Sequence, residues 1–338
     1  MVVSLSEEYF VGLVRFCVEE AVGCCAAEGV LLSGGLDTSI LVAVASRMRR
    51  LKTFTVALDG APSPDVYYAR LVAERFGAEH RVYAFGLEEA LKVAPRVVEV
   101  LGVFDPMEVR NSIPIYIGLR EASRHVGDVM TGDGADELFA GYSFLFNLSG
   151  EELESRLRSM WRTMSFSSKP MGASLGVGVS QPYLDPDVME CASKVPAGLK
   201  VRREGGVVWG KWVLRRAFEN VLPREVAWRT KTPIEAGCGT CILPEVFSGK
   251  ISGEEFSRKR RFYLKSDGVE LRDREHLAYY EMYRELFGPP GEAVRTPGGK
   301  ACPYCKAEVP ADAAYCRICG GYPLPPERGG KRKSLPGR

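Results

Sequence analysis

The chain has 338 residues, enough for one large domain or two of ordinary size, each with its own core. Hydrophobic residues make up 46% and charged residues 26%, values typical of a globular protein. The formal net charge of +2 gives no bulk electrostatic argument for binding to nucleic acid or to a membrane. Local basic charge follows Glu327, in Arg328, Lys331, Arg332, Lys333 and Arg338.

No apolar run reaches the roughly 18 residues that a membrane-spanning helix requires. The N-terminus also lacks the basic start and apolar stretch of a secretory signal, so we expect a cytoplasmic protein without membrane contact. In that compartment the cysteines outside the C-terminal pattern are expected to be reduced. Cys24 and Cys25 are adjacent, cannot easily bridge each other, and are predicted to be buried.

Hydrophobic periodicity predicts an amphipathic helix at 7–22, followed by alternating strands and helices. This alternation predicts an α/β fold with a parallel sheet covered on both faces, and the second half is predicted to be mainly helical. The predicted strands are 29–32, 52–58, 80–85 and 126–131; the predicted helices are 38–50, 64–76, 87–101, 111–125, 150–164, 207–220 and 269–287.

Composition shifts predict the domain boundaries. Gly288-Pro289-Pro290-Gly291 should end the last long helix and open a linker. The predicted organisation is an N-terminal helix (1–22), a main domain (23–290, with an α/β core at 23–145 and a helical part at 146–290), a linker (291–300), a cysteine module (301–321) and a basic disordered tail (322–338).

A glycine pair follows the first predicted strand, in the loop Ser33–Ser39. Such a pair lets the backbone approach a phosphate closely, and the following helix offers free N–H groups and a positive dipole end. Ser33, Thr38 and Ser39 add hydroxyl groups. Asp37 would repel phosphates unless a cation such as Mg²⁺ lies between them. An ordinary strand–turn–helix with a glycine turn is the alternative.

A second acidic loop, Thr131–Glu137, follows another predicted strand. Ligands of parallel sheets bind beyond the carboxyl ends of the strands, so we expect the two loops to converge on one site.

The first loop resembles the SGGxDS loop of the PP-loop ATP pyrophosphatases. The second, TGDGADELFAGY (131–142), closely resembles the signature of asparagine synthetase synthetase domains. The resemblance extends over about residues 29 to 240. Further matching motifs are Phe54-Thr55-Val56, Ser63-Pro64-Asp65, Pro182–Asp185, Gly210-Lys211 with Leu214-Arg215, and Leu222-Pro223 with Trp228–Lys231.

The resemblance implies an adenine-nucleotide α-hydrolase-like fold that adenylates a carboxylate with ATP, releases pyrophosphate and passes the acyl group to ammonia. It implies that Ser33–Ser39 holds pyrophosphate. The implied ATP-binding residues are Leu32, Ser33, Gly34, Gly35, Asp37, Thr38, Ser39, Val56, Thr131, Gly132 and Asp136. Asp37 and Asp136 would bind Mg²⁺, while Lys211 and Lys231 would neutralise phosphate charge and Asp133 would be the catalytic carboxylate.

Three features depart from that family. The chain starts Met1-Val2, without the N-terminal cysteine of a glutaminase domain, so nitrogen is expected from free ammonia or a separate glutaminase subunit. Asp133 stands where we expect Glu, one methylene longer. The stretch Met164–Met171 lacks the acid expected beside an amino-acid substrate, so aspartate does not follow as the acceptor.

Two CxxC pairs near the C-terminus supply Cys302, Cys305, Cys316 and Cys319. Four thiolates at this spacing predict a closed structural Zn²⁺ site in a zinc ribbon. The ribbon and the basic tail could contact RNA or dock a protein. Cys238 and Cys241 form another CxxC, read either as reactive thiols or as small residues in a turn.

Three functions remain open from the sequence. The first is a ligase that joins a small-molecule carboxylate to ammonia. The second is an RNA-modifying enzyme that adenylates a base, with the ribbon holding RNA and Cys238 and Cys241 taking part. The third is a non-catalytic ATP sensor.

Overall fold

The computed structural model describes residues 6–325, so most of the predicted tail lies outside the described residues. Two compact units divide the chain: one comprises Met1–Leu87 and Pro114–Gly239, the other Glu88–Ile113 and Thr240–Arg338. We call them unit 1 and unit 2. Within residues 6–325 no helix is both long and apolar enough to cross a bilayer.

The secondary structure alternates as expected in the first half and becomes mainly helical in the second. The strands are β1 Gly29–Leu31, β2 Lys52–Leu58, β3 Glu79–Phe85, β4 Asp128–Met130, β5 Gly178–Ser180, β6 Val201–Glu204, β7 Val207–Gly210, β8 Lys300–Ala301 and β9 Glu308–Val309. The helices are α1 Glu7–Cys24, α2 Leu36–Ala45, α3 Asp65–Phe76, α4 Leu87–Leu101, α5 Pro106–Ala122, α6 Ala135–Phe139, α7 Gly150–Thr163, α8 Ser168–Leu175, α9 Pro186–Lys194, α10 Ala197–Lys200, α11 Trp212–Phe218, α12 Arg224–Ala227, α13 Ile234–Cys238, α14 Leu243–Lys250, α15 Gly253–Ser266, α16 Arg274–Phe287 and α17 Pro290–Ala293.

Unit 1 is built on a five-stranded parallel sheet in the order β3-β2-β1-β4-β5. The order reverses direction at β1 and β4, and such a switch point leaves a crevice at the carboxyl ends of the strands. The loops after β1 and β4 therefore leave neighbouring strands at one edge. The α/β fold class predicted from the sequence is confirmed.

The core of unit 1 packs helices against this sheet. α2 is almost entirely buried, with Ile40, Leu41 and Val42 fully enclosed. α1 buries Val14, Val18 and other residues of one face against α2, α9 and α11, as the amphipathic pattern predicts. Burial of these apolar surfaces is the main favourable term that holds the loops in place.

Two sequence predictions are wrong. Residues 207–210 form β7 instead of the start of a helix, because Gly205 and Gly206, both with positive φ, turn β6 back into an antiparallel hairpin. Cys24 is exposed and Cys25 is half-buried, because they are the last residue and the C-cap of α1, where only Cys25 of the two packs against the core. None of the ten cysteines, all of which lie within residues 6–325, forms a disulfide.

Unit 2 has an aromatic core around Phe104. Its ring lies 5.0 Å from the Tyr280 and Tyr283 rings and 5.3 Å from His276, centroid to centroid. Burial lowers the pKa of His276 to about 3, so this imidazole packs as a neutral ring.

The cysteine module joins this core through backbone and side-chain hydrogen bonds. The Phe104 N–H donates to Ile318 O at 2.7 Å, and Arg272 donates to Cys319 O at 3.1 Å and Gly320 O at 2.9 Å. The Tyr315 hydroxyl donates to Asp105. These four hydrogen bonds connect the module to the rest of unit 2.

Glu275 should make the stability of unit 2 depend on pH. It is 4% exposed, and burial raises its pKa to about 7 although Arg110 lies 3.8 Å away. A carboxyl whose folded pKa is raised stabilises the fold below its unfolded pKa and loses that contribution as pH rises through 7. As the pH rises from 4.5 to 8, the free energy of unfolding of Glu275→Gln should increase by about 3 kcal/mol relative to that of the parent chain. Urea unfolding at a series of pH values measures this difference. A constant difference across that range would contradict this account.

Candidate active site

The first loop begins where β1 ends and leads into α2. Gly34 has φ +65°, and a Cβ there would lie 2.4 Å from Ala69 N, so a larger residue cannot take its place. The Ser33 N–H donates to Thr38 Oγ1 at 3.3 Å, and the Gly35 N–H donates to Ser33 Oγ at 3.3 Å. These bonds close the loop into a cradle that leads into the N-terminus of α2.

Arg229 holds the backbone of this loop in place through hydrogen bonds. It donates to Ser33 O at 3.1 Å and to Asp65 Oδ1 at 2.6 Å, and its guanidinium lies 4.0 Å from the centre of the Tyr68 ring. Burial raises the pKa of Asp65 even with Arg229 beside it. The pair is therefore a buried ion pair that fixes the loop carbonyl.

Breaking this pair should destabilise unit 1. Asp65→Ala leaves Arg229, which is 9% exposed, without its counter-ion, and removal of one buried partner typically costs about 3–5 kcal/mol. Chemical unfolding should show this loss of stability. Steady-state kinetics should show a higher KM for ATP. Glu190→Ala, which breaks the exposed pair with Lys194, serves as the control and should change little. Equal stability of the two variants would show that Arg229 does not depend on Asp65.

The second loop follows β4. The Thr131 N–H donates to Ser180 O at 3.0 Å, which continues the β4–β5 pairing into the loop. Gly134 has φ +93° and starts α6. Gly132 lies against the first loop, since a Cβ there would be 3.1 Å from Asp37 Cβ and 3.2 Å from Thr38 Cγ2. The two loops therefore meet, as the strand order requires.

Four charged side chains occupy the junction of the loops, and we call them the charge cluster: Asp37, Asp136, Lys211 and Lys231. Lys211 Nζ lies 2.7 Å from Asp37 Oδ2 and 2.7 Å from Asp136 Oδ1. Lys231 Nζ lies 2.5 Å from Asp136 Oδ2. Residues from four separate segments of the sequence thus form one compact group with two acids and two cations.

The cluster is strongly coupled electrostatically. Burial alone would raise the pKa of Asp136, but Lys211 and Lys231 hold it well below its usual value. Burial would likewise lower the pKa of Lys231, yet Asp136 and Asp37 raise it. Asp136 and Lys231 therefore both stay ionised across the physiological range.

Local backbone geometry makes room for the cluster. Lys211 has φ +54° at the start of α11 and is 2% exposed. A Cβ at Gly141 would lie 1.8 Å from Asp136 Oδ1 and 2.6 Å from Lys211 Cε. A strained lysine and an obligatory glycine at the same point indicate a site shaped for its side chains.

Asp133 is tied into a different network. Its Oδ2 accepts hydrogen bonds from Thr131 Oγ1 at 2.8 Å, Ser168 Oγ at 2.5 Å and Gln181 Nε2 at 2.9 Å. Ser168 and Gln181 were not predicted from the sequence, because they come from α8 and the end of β5 and only the fold brings them to Asp133.

Leu32 and Val56, two of the predicted ATP-binding residues, lie at the same edge of the sheet. The Leu32 N–H donates to Phe54 O at 2.9 Å, and Thr55 Oγ1 donates to Leu32 O at 2.5 Å. Val56 is the next residue of β2 and is half-buried. A Cβ at Gly118 would lie 3.3 Å from Leu31 Cδ2 and 3.6 Å from Val56 Cγ1. Gly118 therefore packs against apolar side chains of β1 and β2. The predicted residue Ser39 is buried in α2, with its Oγ unpaired among the described atoms.

The four C-terminal cysteines form a separate cluster in unit 2. All four are buried, and their Sγ atoms lie within 4.8 Å of one another. Cys302 Sγ and Cys319 Sγ are 3.8 Å apart, as are those of Cys305 and Cys316. Tetrahedral Zn–S bonds of about 2.3 Å give an edge of about 3.8 Å, so the geometry fits zinc. Of the other CxxC pair, Cys238 is buried and Cys241 exposed.

The chain is similar to proteins of a known family. The family model for asparagine synthase matches residues 14–171 and 151–287. Asparagine synthetase B (glutamine-hydrolyzing) of Escherichia coli K12 is 31% identical over 318 residues, covering 86% of this chain and 56% of that protein. A probable asparagine synthetase of Dictyostelium discoideum is 29% identical over 300 residues, covering 79% and 53%.

The chain therefore belongs to the asparagine synthase family. It spans about half the length of the curated relatives that it matches. Among solved structures, an NMN synthetase from Francisella tularensis covers 83% of this chain and 94% of that one, with a TM-score of 0.37 and 11% identity.

Proposed function

We propose that the protein is an ATP-dependent carbon–nitrogen ligase that adenylates a small carboxylic acid and transfers the acyl group to ammonia. The charge cluster carries this proposal, because it gathers two acids and two cations beside a phosphate cradle at the switch point of the sheet. A site that cleaves ATP between the α and β phosphates needs fixed positive charge where pyrophosphate departs.

Each part of the site has a role in this reaction. The Ser33–Ser39 cradle holds the β and γ phosphates through the N-terminus of α2 and the loop hydroxyls. The acceptor carboxylate oxygen attacks the α-phosphorus, the α–β bridge breaks and pyrophosphate leaves, with Lys211 and Lys231 stabilising its charge. Ammonia then attacks the acyl carbon, AMP leaves, and the new nitrogen loses a proton.

Magnesium fits the cluster. Asp37 and Asp136 both reach the same Lys211 nitrogen, so their oxygens converge closely enough to share one cation, and carboxylates are the oxygen ligands that Mg²⁺ prefers. When bound with ATP, Mg²⁺ would neutralise phosphate charge. Asp37 and Asp136 would hold it, and the two lysines would turn to the phosphate oxygens.

Zinc is proposed for the second cluster. Cys302, Cys305, Cys316 and Cys319 would hold it as four thiolates in a closed site without an open position, which is a structural arrangement. The module packs on the core of unit 2 through Arg272 and Asp105, so its role would be to stabilise that unit.

The overall reaction can be tested with Mg·ATP, aspartate and ammonium chloride. We expect AMP and pyrophosphate in equal amounts and one amide per AMP. Because the acceptor is not fixed by the fold, a panel of small acids should be run in parallel. Formation of ADP and phosphate, or AMP without any amide for every acid, would overturn the proposal.

A further inference from the structure

Helix α15 lies on the surface of unit 2. None of its 14 residues, all of which the structure describes, is buried. One side packs on α16: the Tyr263 hydroxyl donates to Glu281 Oε1 at 2.8 Å, and the Tyr263 and Tyr280 rings lie 5.0 Å apart, centroid to centroid. The side of the helix opposite Tyr263 therefore faces solvent.

This helix carries positive charge that its neighbours do not balance. Both of its acids, Glu254 and Glu255, lie in the first turn, whereas residues 258–265 contain five cations and no acid. Lys259 pairs with Glu255 at 2.9 Å and with Glu281 at 3.0 Å. Like charges three or four residues apart destabilise a helix, so helix stability does not explain the remaining cations. Each of these is exposed and forms no ion pair within residues 6–325: Arg258, Arg260, Arg261 and Lys265.

Three of these cations form a line along the outer side of α15. At 3.6 residues per turn, they all lie within about 40° of the direction opposite the packed tyrosine. An apolar side chain lies on each flank of the line, and 57% of Phe262 and 52% of Leu264 is exposed. The basic face, as we call this surface, consists of Arg258, Arg261 and Lys265 with Phe262 and Leu264 beside them.

The charge and spacing of the basic face fit the backbone of a nucleic acid strand. Arg258 and Lys265 lie about 10 Å apart along the helix axis, and the phosphates of one strand rise by about 3.4 Å each in a duplex. The line of cations therefore spans about as many phosphates as it has charges. Arginine is suited to such contacts, because its guanidinium can bind two phosphate oxygens at once. The attraction is local, since the net charge of the whole chain is only +2.

The exposed aromatic side chain discriminates among polyanions. Phe262 lies beside the charged line, where its ring can stack on an unpaired base of a single strand. An acidic peptide offers carboxylates but no base. A helix that lies on a membrane immerses one continuous apolar side, whereas here the charged line separates Phe262 from Leu264.

We propose that the basic face binds single-stranded nucleic acid, with its three cations on the phosphates and Phe262 stacked on a base. This surface is additional to the proposed ligase, because α15 belongs to unit 2 and the charge cluster belongs to unit 1. We expect the binding to be independent of adenylation. The strand has two sources, RNA and DNA, and both are used as probes.

The test measures binding of the full chain to labelled strands of about 12 nucleotides, one RNA and one DNA of the same mixed sequence, by fluorescence anisotropy. Salt is varied between about 50 and 200 mM. Polyglutamate and phosphatidylserine vesicles are the competing probes. One variant combines Arg258→Ala, Arg261→Ala and Lys265→Ala, and a second is Phe262→Ala. The matched control removes the same charge from three exposed arginines of α7: Arg156→Ala, Arg158→Ala and Arg162→Ala.

Both triple variants retain the basic residues after Glu327, so any contribution of those residues is common to the two. Thermal unfolding and pyrophosphate exchange, both measured without nucleic acid, show whether each variant retains its fold and its active site. We expect both to equal those of the parent chain.

The parent chain should bind the strands with a Kd of about 10⁻⁶–10⁻⁴ M. The triple variant of α15 should bind at least about tenfold more weakly, and the slope of log affinity against log salt should fall by about 2, because each phosphate contact with a single strand contributes about 0.7. Phe262→Ala should weaken binding about tenfold without changing that slope, since stacking releases no counterions. The α7 control should keep the affinity and the slope of the parent chain, and the strand that binds more tightly identifies the source.

Equal affinities and slopes of the two triple variants would overturn the inference, as would an unchanged affinity of Phe262→Ala. Tighter binding of polyglutamate or of the vesicles than of either strand would assign the basic face to an acidic protein or to a membrane instead. Each of these results leaves the ligase intact, whereas absence of pyrophosphate exchange in the parent chain overturns the adenylation and leaves this inference standing.

Discussion

Replacing Asp37 with Asn should lower the rate of pyrophosphate release by at least about 10²–10³-fold, the loss typical for one essential electrostatic group. Asp37 lies at the first turn of α2 and shares Lys211 Nζ with Asp136. Asparagine has nearly the same shape but no charge, so it can neither share a metal ion with Asp136 nor balance Lys211. The fold should persist, since Lys211 keeps Asp136 as a partner.

The matched control is Asp187→Asn, an exposed acid in the first turn of α9 in the same unit. It should leave turnover and stability unchanged. The effect at Asp37 should fall mainly on kcat, because the cradle that binds the phosphates is formed by backbone and hydroxyl groups. Turnover within tenfold of the parent chain, in a variant shown to be folded, would exclude Asp37 from the chemistry.

Replacing Cys305 with Ser should remove the metal and destabilise unit 2 as a whole. Apparent binding free energies of structural zinc in small modules are about 10–16 kcal/mol, and this energy stabilises the fold to which the metal is attached. Here the module shares hydrogen bonds with Phe104, Asp105 and Arg272, so its loss should extend into the aromatic core.

The measurement is zinc content by elemental analysis together with calorimetry. We expect one zinc per chain in the parent protein, none in Cys305→Ser, and an early unfolding transition for unit 2. Cys241→Ser, an exposed cysteine of the same unit outside the cluster, should retain the metal and the transition. A metal-free Cys305→Ser variant with an unchanged calorimetric profile would show that the module is dispensable for unit 2.

The parts of the site that lie close in sequence could be predicted. The Ser33–Ser39 and Thr131–Glu137 loops each follow an apolar strand, and the parallel sheet rule places them at one edge, where Gly132 now contacts Asp37. Lys211 and Lys231 could be chosen only through matching motifs, because nothing in their local sequence distinguishes them from surface lysines. The structure brings both to Asp136.

Other features depend on a local glycine turn that the apolar pattern concealed, or on contacts between distant segments. Val207-Val208-Trp209 is apolar enough for a helix, and only the Gly205-Gly206 turn reveals the hairpin. The hydrogen bond from Arg229 to Ser33 O joins residues 196 apart in sequence. Ser168 and Gln181 reach Asp133 from two further segments, so the sequence could not predict this network of neutral hydrogen-bond donors.

Exchange of ³²P-pyrophosphate into ATP tests the central claim most directly, since it requires reversible cleavage between the α and β phosphates. The account predicts exchange that depends on a small carboxylic acid, proceeds without ammonium, is unaffected by RNA, and disappears in Asp37→Asn. Exchange that requires RNA instead of an acid, or ATP binding without any exchange across the acid panel, would contradict it.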